Sequence, residues 1–251
     1  MKLLDALGQL VTFRASYAQQ MEDIIINRYF HNVKKGFYVD VGCNHPAHYS
    51  VTKMFYDKGW RGVNIDPLKS VMDMYPGERP EDINICAAVS DKEGLLEFYE
   101  DGQCSTVSQE DAARRGLTCK YSVESMPLSR LLDGLRKQGK LPEDIHFLKI
   151  DVEDHEREVV EGMDWKRYRP WLVVIESTLP ETYIASHDKW ESKLVDNGYS
   201  FLAAHGVNRY YAADEKAALL TASYLSAPAE PFIKDEELLP IKRLWVSMSM
   251  D

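Results

Sequence analysis

FYVDVGCNHP (Phe37 to Pro46) and GVNIDP (Gly62 to Pro67) are the two stretches whose reading decides the fold. Each is a short apolar run ending in a carboxylate, Asp40 in the first and Asp66 in the second. The first continues into a turn at Gly42, where a missing side chain lets backbone approach a ligand. Asp66 follows that turn by about 20 residues, the spacing of a ribose-binding carboxylate at the end of the next strand. The turn itself reads Cys43-Asn44-His45-Pro46. It carries neither the further glycines of a pyrophosphate site nor the Gly-Lys-Ser/Thr of a triphosphate cradle. A phosphate-free nucleoside suits it better.

Outward from these stretches, strands and helices alternate. Strands are predicted over 37–41, 61–65, 83–89, 145–150 and 171–175, with an edge or hairpin strand at 95–99. Helices are predicted over residues 2 to about 30, 50–58, 68–75, 128–137, 155–162 and 187–197. Residues 199–204 and 207–212 read as a hairpin turning at His205-Gly206. Residues 100–120 lack periodicity and read as a loop over a site. From 214 onward the chain reads as a weakly structured tail or lid. The alternation predicts an α/β, doubly wound, mostly parallel sheet ending in an antiparallel hairpin.

The second informative constellation is FLKIDVEDHEREVVEG (147–162) followed by RPWLVVIES (169–177). The fourth strand ends at Asp151, and the fifth at Glu176. Ligands of open α/β sheets lie at the carboxyl ends of strands, so Asp40, Asp66, Asp151 and Glu176 should converge there. Such a cluster could deprotonate a hydroxyl, hydrogen-bond a sugar, or hold a divalent cation. Asp154 and Glu156 read instead as helix-start residues, capping or facing water.

Composition narrows the partners. The chain has 251 residues, 45% hydrophobic and 28% charged, which fits one soluble domain with extensions. A formal net charge of −10 argues against nucleic acid as principal partner. Four cysteines without paired spacing argue against zinc or a disulfide framework, and a cytoplasmic setting is the expectation. MKLLDALGQLVTF lacks the core of a signal peptide, and no run approaches the roughly 18 apolar residues of a transmembrane helix. S-adenosylmethionine (SAM) is the common phosphate-free nucleoside, and methyl transfer is the leading reading. A nicotinamide-dependent sugar oxidoreductase or epimerase would need the glycine-rich turn that is missing. A nucleoside-binding module without catalysis is the third class.

At these residues the chain resembles the FkbM family of SAM-dependent methyltransferases. The matching motifs are FYVDVGCNHPAHYSVTKMFYDKGWRGVNIDP, FLKIDVEDHEREVVEG and WESKLVDNGYSF with GVNRYY, spanning roughly residues 37 to 212. The resemblance implies a Rossmann-like, seven-stranded class I fold and O-methylation of a sugar, glycan or related natural product. It divides the chain into an N-terminal helical extension (1–33), the methyltransferase domain (34–213) and a tail or lid (214–251). It places Asp40, Gly42 and Asn44 around the methionine part of SAM, Asp66 at the ribose, Ala88 near the adenine, and Ser105 with Thr106 at the site. Asp151, Glu153 and His155 then stand beside the transferred methyl as the catalytic candidates. Glu176 and Asn208, the latter with Arg209, are candidates for binding the acceptor.

A carboxylate pair from the fourth and fifth strands could alternatively hold Mg2+ or Mn2+ against two sugar hydroxyls. His45 and His48 read as pocket walls, and Trp60, Trp165, Trp171, Tyr183 and Trp190 as core or sugar-stacking residues. The terminal segments are candidate contacts of a homo-oligomer. One residue departs from the family pattern: Asp154 stands where the family carries glycine, which matters if that position needs a positive φ.

Overall fold

The computed structural model describes residues 2–4, 10–12, 14–229 and 232–234, with side chains from 15 to 229. Its frame is a sheet of β1 (Phe37–Val41), β2 (Arg61–Asp66), β3 (Ile83–Cys86), β4 (Phe147–Ile150), β5 (Leu172–Glu176), β6 (Tyr199–His205) and β7 (Asn208–Ala213). Their spatial order is β6-β7-β5-β4-β1-β2-β3. All neighbours are parallel except β7, which runs antiparallel to both β5 and β6. The expected hairpin therefore exists, but its second strand enters between β5 and the first. The order reverses between β1 and β4, and a crevice opens there at the carboxyl ends.

Both faces of the sheet are covered, as period-2 burial requires. Of the helices that follow α3 (Gln109–Arg115) in the chain, α4 (Leu128–Lys137), α5 (Glu156–Glu161) and α6 (Glu191–Asp196) pack against Val39, Val63, Leu148 and Val173. α4 buries Leu128, Leu131, Leu132 and Leu135, a helical stripe facing the sheet. On the other face, Tyr38, Phe147, Val174 and Tyr210 pack with Ile26 and Tyr29 of α1 (Glu22–Tyr29), Phe55 of α2 (Lys53–Asp57) and Leu220 of α7 (Asp214–Ser226).

Several expectations are corrected. The predicted helix over residues 2 to 30 is reduced to α1. Lys2–Leu4 and Leu10–Thr12 form an antiparallel pair, and Arg14–Ser16 pairs in parallel with Phe232–Lys234. The part of that reading at residues 1, 5–9 and 13 lies outside the described residues, as does the tail at 230–231 and 235–251. Residues 214–226, read as tail, form α7. It docks on α1 through Tyr29 and Tyr224, whose rings lie 4.7 Å apart, and through Arg28 Nη2, which donates to the Tyr224 carbonyl at 3.1 Å. Residues 83–89 are not one strand: Ala88–Val89 leave β3 for a small sheet with Gly94–Phe98 and Tyr121–Met126. Residues 100–120 contain α3, capped by the Ser108 hydroxyl accepting from Asp111 N–H and ended by Gly116 at φ +69°. Among the described residues, no helix is long and apolar enough to cross a membrane.

One buried cation ties the first two strands to the turn after β1. Arg79 has no exposed surface. It donates to the Pro46 carbonyl from Nε at 3.0 Å and from Nη2 at 2.8 Å, and to Thr52 Oγ1 from Nη1 at 2.7 Å. Asp82 lies 3.7 Å away, and its carboxylate also accepts from Tyr38 and from the Gly62 N–H. Removing one partner of a buried charge pair leaves the other uncompensated, at a cost of about 3–5 kcal/mol. Arg79→Met should therefore lower unfolding free energy by about that amount in urea denaturation. A loss below about 1 kcal/mol would show that the network contributes little.

Candidate active site

A cavity of about 510 Å3 opens at the carboxyl ends of β1, β2, β4 and β5, within the size range of small-molecule sites. Its first wall is the turn after β1. Gly42 has φ +73°, and its N–H donates to the Ile65 carbonyl at 2.9 Å. A Cβ there would stand 1.7 Å from the Asp151 carbonyl oxygen, so only glycine lets this turn touch the one after β4. Asn44, also at positive φ, donates its N–H to Asp66 Oδ2 at 3.0 Å. The Leu68 N–H donates to Asp66 Oδ1 at 2.9 Å. Two backbone donors thus fix the carboxylate at the cavity wall, each oxygen keeping a lone pair for a ligand hydroxyl.

Beyond Asp66 the wall becomes apolar: Leu68, Ala87, Ala88, Val89, Phe98 and Val107. Ala88 was read from the sequence. Phe98 and Val107 were not, because they arrive from the small sheet and from the segment before α3. Ser105 also lines the cavity, with its hydroxyl engaged in its own turn, donating to the Gly102 carbonyl at 2.7 Å. Thr106 lies behind, donating to the Glu153 carbonyl at 2.6 Å.

The opposite end is acidic. Asp151, Glu153 and Glu176 offer oxygens that all lie within 4.8 Å of one another. Glu22 of α1 and Glu181 add further carboxylates to the lining, and neither was anticipated from the sequence. Lys149 is the nearby cation, 3.4 Å from Asp151 Oδ2, 3.5 Å from Asp40 Oδ1, and donating to the Gly42 carbonyl at 2.5 Å. Burial opposes the Lys149 charge, but Asp151 and Asp40 outweigh it and hold the ammonium above its ordinary pKa. Burial, then Asp151, pushes both Glu153 and Glu176 well above the usual carboxylate range. Glu176 is only 7% exposed, and its Oε2 has no hydrogen-bond partner.

The structure separates some candidates from the cavity. Asp40 is 1% exposed and does not line it; it accepts from Thr52 at 2.9 Å and lies under the Gly42 turn. Asn208 is buried and reaches the lining only through Glu22, to which its amide donates at 2.9 Å. Arg209 pairs instead with Glu191 at 2.8 Å. His155 lines the cavity, yet both ring nitrogens face protein groups: Nε2 stands 3.1 Å from Ser90 Oγ and Nδ1 3.5 Å from Glu158. Burial lowers its pKa, favouring neutral imidazole. His45 and His48, expected as pocket walls, are not among the lining residues. Of the aromatic candidates, Trp60, Trp165 and Trp190 are core, whereas Tyr183 is 87% exposed at the cavity.

Glu156 and Asp154 also differ from expectation. Glu156 is buried and accepts the Val152 N–H at 2.9 Å rather than facing water. Asp154 does not cap α5. It sits at φ +70°, accepts from Ser108 at 3.2 Å, and pairs with Lys189 at 2.7 Å. The left-handed backbone costs an aspartate about 1 kcal/mol, which these contacts to α3 and to the 187–189 turn offset.

A cavity at the switch point of a sheet ordered 3-2-1-4-5-7-6, with only the seventh strand reversed, defines a Rossmann-like class I methyltransferase fold. The chain belongs to the FkbM methyltransferase family, whose domain matches residues 40–201. No curated protein matches it. Among solved structures it is similar to precorrin-6y C5,15-methyltransferase from Geobacter metallireducens. That likeness has 10% identity and a TM-score of 0.42 over 80% of this chain and 92% of that one. The fold assignment rests on the sheet order.

Restoring the family's glycine tests the role of Asp154. Asp154→Gly should shift unfolding free energy by less than about 1 kcal/mol, as strain relief and lost contacts cancel. Amide exchange at Ser108–Asp111 should accelerate, because the tie to α3 is gone. Unchanged exchange there would show that Asp154 does not hold that segment.

Proposed function

We propose that the protein transfers a methyl group from SAM to a hydroxyl of a sugar, glycan or related natural product. The observation that supports this most is Asp66. Two backbone donors hold its carboxylate at a cavity wall between the glycine turn and an apolar slot. Ribose hydroxyls suit that carboxylate, and a flat adenine suits the slot beside Ala88 and Phe98. The methionine part then runs past Gly42 and Asn44, and Asp40 acts from beneath the turn, through Lys149. This arrangement points the sulfonium toward Asp151, Glu153 and Glu176.

The chemistry follows from that charge distribution. Carboxylates attract the cationic sulfonium and favour it over the neutral thioether product, which eases product release. The acceptor oxygen must reach about 3 Å from the methyl carbon, opposite the sulfur. Its lone pair forms the new O–C bond as the C–S pair returns to sulfur, giving S-adenosylhomocysteine. The hydroxyl proton passes to a carboxylate of the cluster, for which Asp151 is our candidate. Glu153 and Glu176 orient the acceptor, and Asn208 acts indirectly by holding Glu22. With both nitrogens engaged, His155 braces the turn that carries these groups.

Calorimetric titration tests the reading. The protein should bind SAM and S-adenosylhomocysteine, and Asp66→Ala should weaken both by roughly 10- to 100-fold, the worth of hydrogen bonds to a charged group. Circular dichroism should confirm that the variant is folded. Absence of heat with either ligand at about 0.1 mM wild-type protein would sink the proposal.

A further inference from the structure

We propose that Asp151, Glu153 and Glu176 form a site for one divalent cation, Mg2+ or Mn2+, that receives the acceptor through two neighbouring hydroxyls. The inference rests on the methyl-transfer reading for its acceptor, but the cation site stands on its own geometry. Three carboxylates from the ends of β4 and β5 bring oxygens within 4.8 Å of one another, a separation that one ion can span. Glu176 supplies an independent sign. It is only 7% exposed, lines the cavity, and leaves Oε2 without a hydrogen-bond partner. A buried carboxylate oxygen without a donor is costly unless something positive completes it.

The nearby ammonium does not meet that need. Lys149 is shared among Asp40, Asp151 and the Gly42 carbonyl and, among the described residues, forms no ion pair with Glu153 or Glu176. The donor set is all oxygen, which selects hard ions such as Mg2+ and Mn2+ over zinc. An octahedral ion held by three carboxylate oxygens keeps about three positions open. Those positions face a cavity, so a vicinal diol can occupy two of them. Bound there, the ion would stabilise the developing alkoxide, and the hydroxyl proton would leave to the Asp151 oxygen that does not bind it. The acceptor class this selects is a polyol with adjacent hydroxyls.

The test is Mn2+ binding to the full chain without cofactor, followed by electron paramagnetic resonance and by melting temperature. One Mn2+ should bind per chain and raise the melting temperature. Glu176→Gln, which preserves shape, and Asp151→Asn should each weaken binding by at least tenfold. Glu161→Gln, on the exposed face toward Lys193, should not. The same samples are titrated with SAM. SAM binding without Mn2+ binding overturns the cation site and leaves methyl transfer standing. Mn2+ binding that survives both Glu176→Gln and Asp151→Asn also overturns it. Mn2+ binding without SAM binding supports the site and refutes the proposed reaction.

Discussion

The site depends on one buried ammonium. Lys149 lies in the middle of the sheet, on β4, and reaches up to the Gly42 carbonyl while pairing with Asp40 and Asp151. These three partners belong to the end of β1, the turn after it and the turn after β4, the segments that border the switch point. The glycine brings the turns into contact, and the lysine holds them there. Without that cation, Asp40 would keep only the Thr52 hydrogen bond and the more distant Arg79 charge, a costly state for a carboxylate in the interior. The crevice thus exists because a charge under it is neutralised.

The rest of the site divides along that crevice. Toward β2 and β3 the wall is a fixed carboxylate and an apolar slot; toward β5 it is a group of acids with little counter-charge. A bound cation is stabilised at the second end, and an anion is repelled. The same asymmetry serves a sulfonium and, in our further inference, a metal ion. Arg79 and the α1–α7 contact stay outside this division. They brace the turn after β1 and seat Glu22, which α1 delivers to the cavity with Asn208 holding it.

Much of this was legible, and the failures have physical reasons. The stripe Leu128, Leu131, Leu132, Leu135 defines α4 because its period is set by one face meeting one sheet. Leu3, Leu4, Leu10 and Val11 stand at helical spacing too, yet Lys2–Leu4 and Leu10–Thr12 form short strands, since spacing alone is weak where a partner strand can be recruited. α7 was missed because its stability comes from α1, nearly 200 residues earlier in the chain, and not from its own pattern. α3 carried readable signals in Ser108 and Gly116, which the polar character of the segment obscured. Phe98, Val107 and Glu22 were invisible as site residues, because each reaches the cavity from an element outside the β–turn motifs.

The sequence by itself determined the alternation of strands and helices, the glycine turn, the acids at the strand ends and the family. Those features are local, since each is specified by periodicity, a turn residue or a motif. Tertiary structure alone decided which acids share a cavity. It withdrew Asp40 beneath the floor, turned both nitrogens of His155 onto protein groups, and brought Glu22 in. It also left one Glu176 oxygen without a donor. These outcomes depend on distances between segments far apart in the chain, and on how burial distributes a single positive charge among several negative ones.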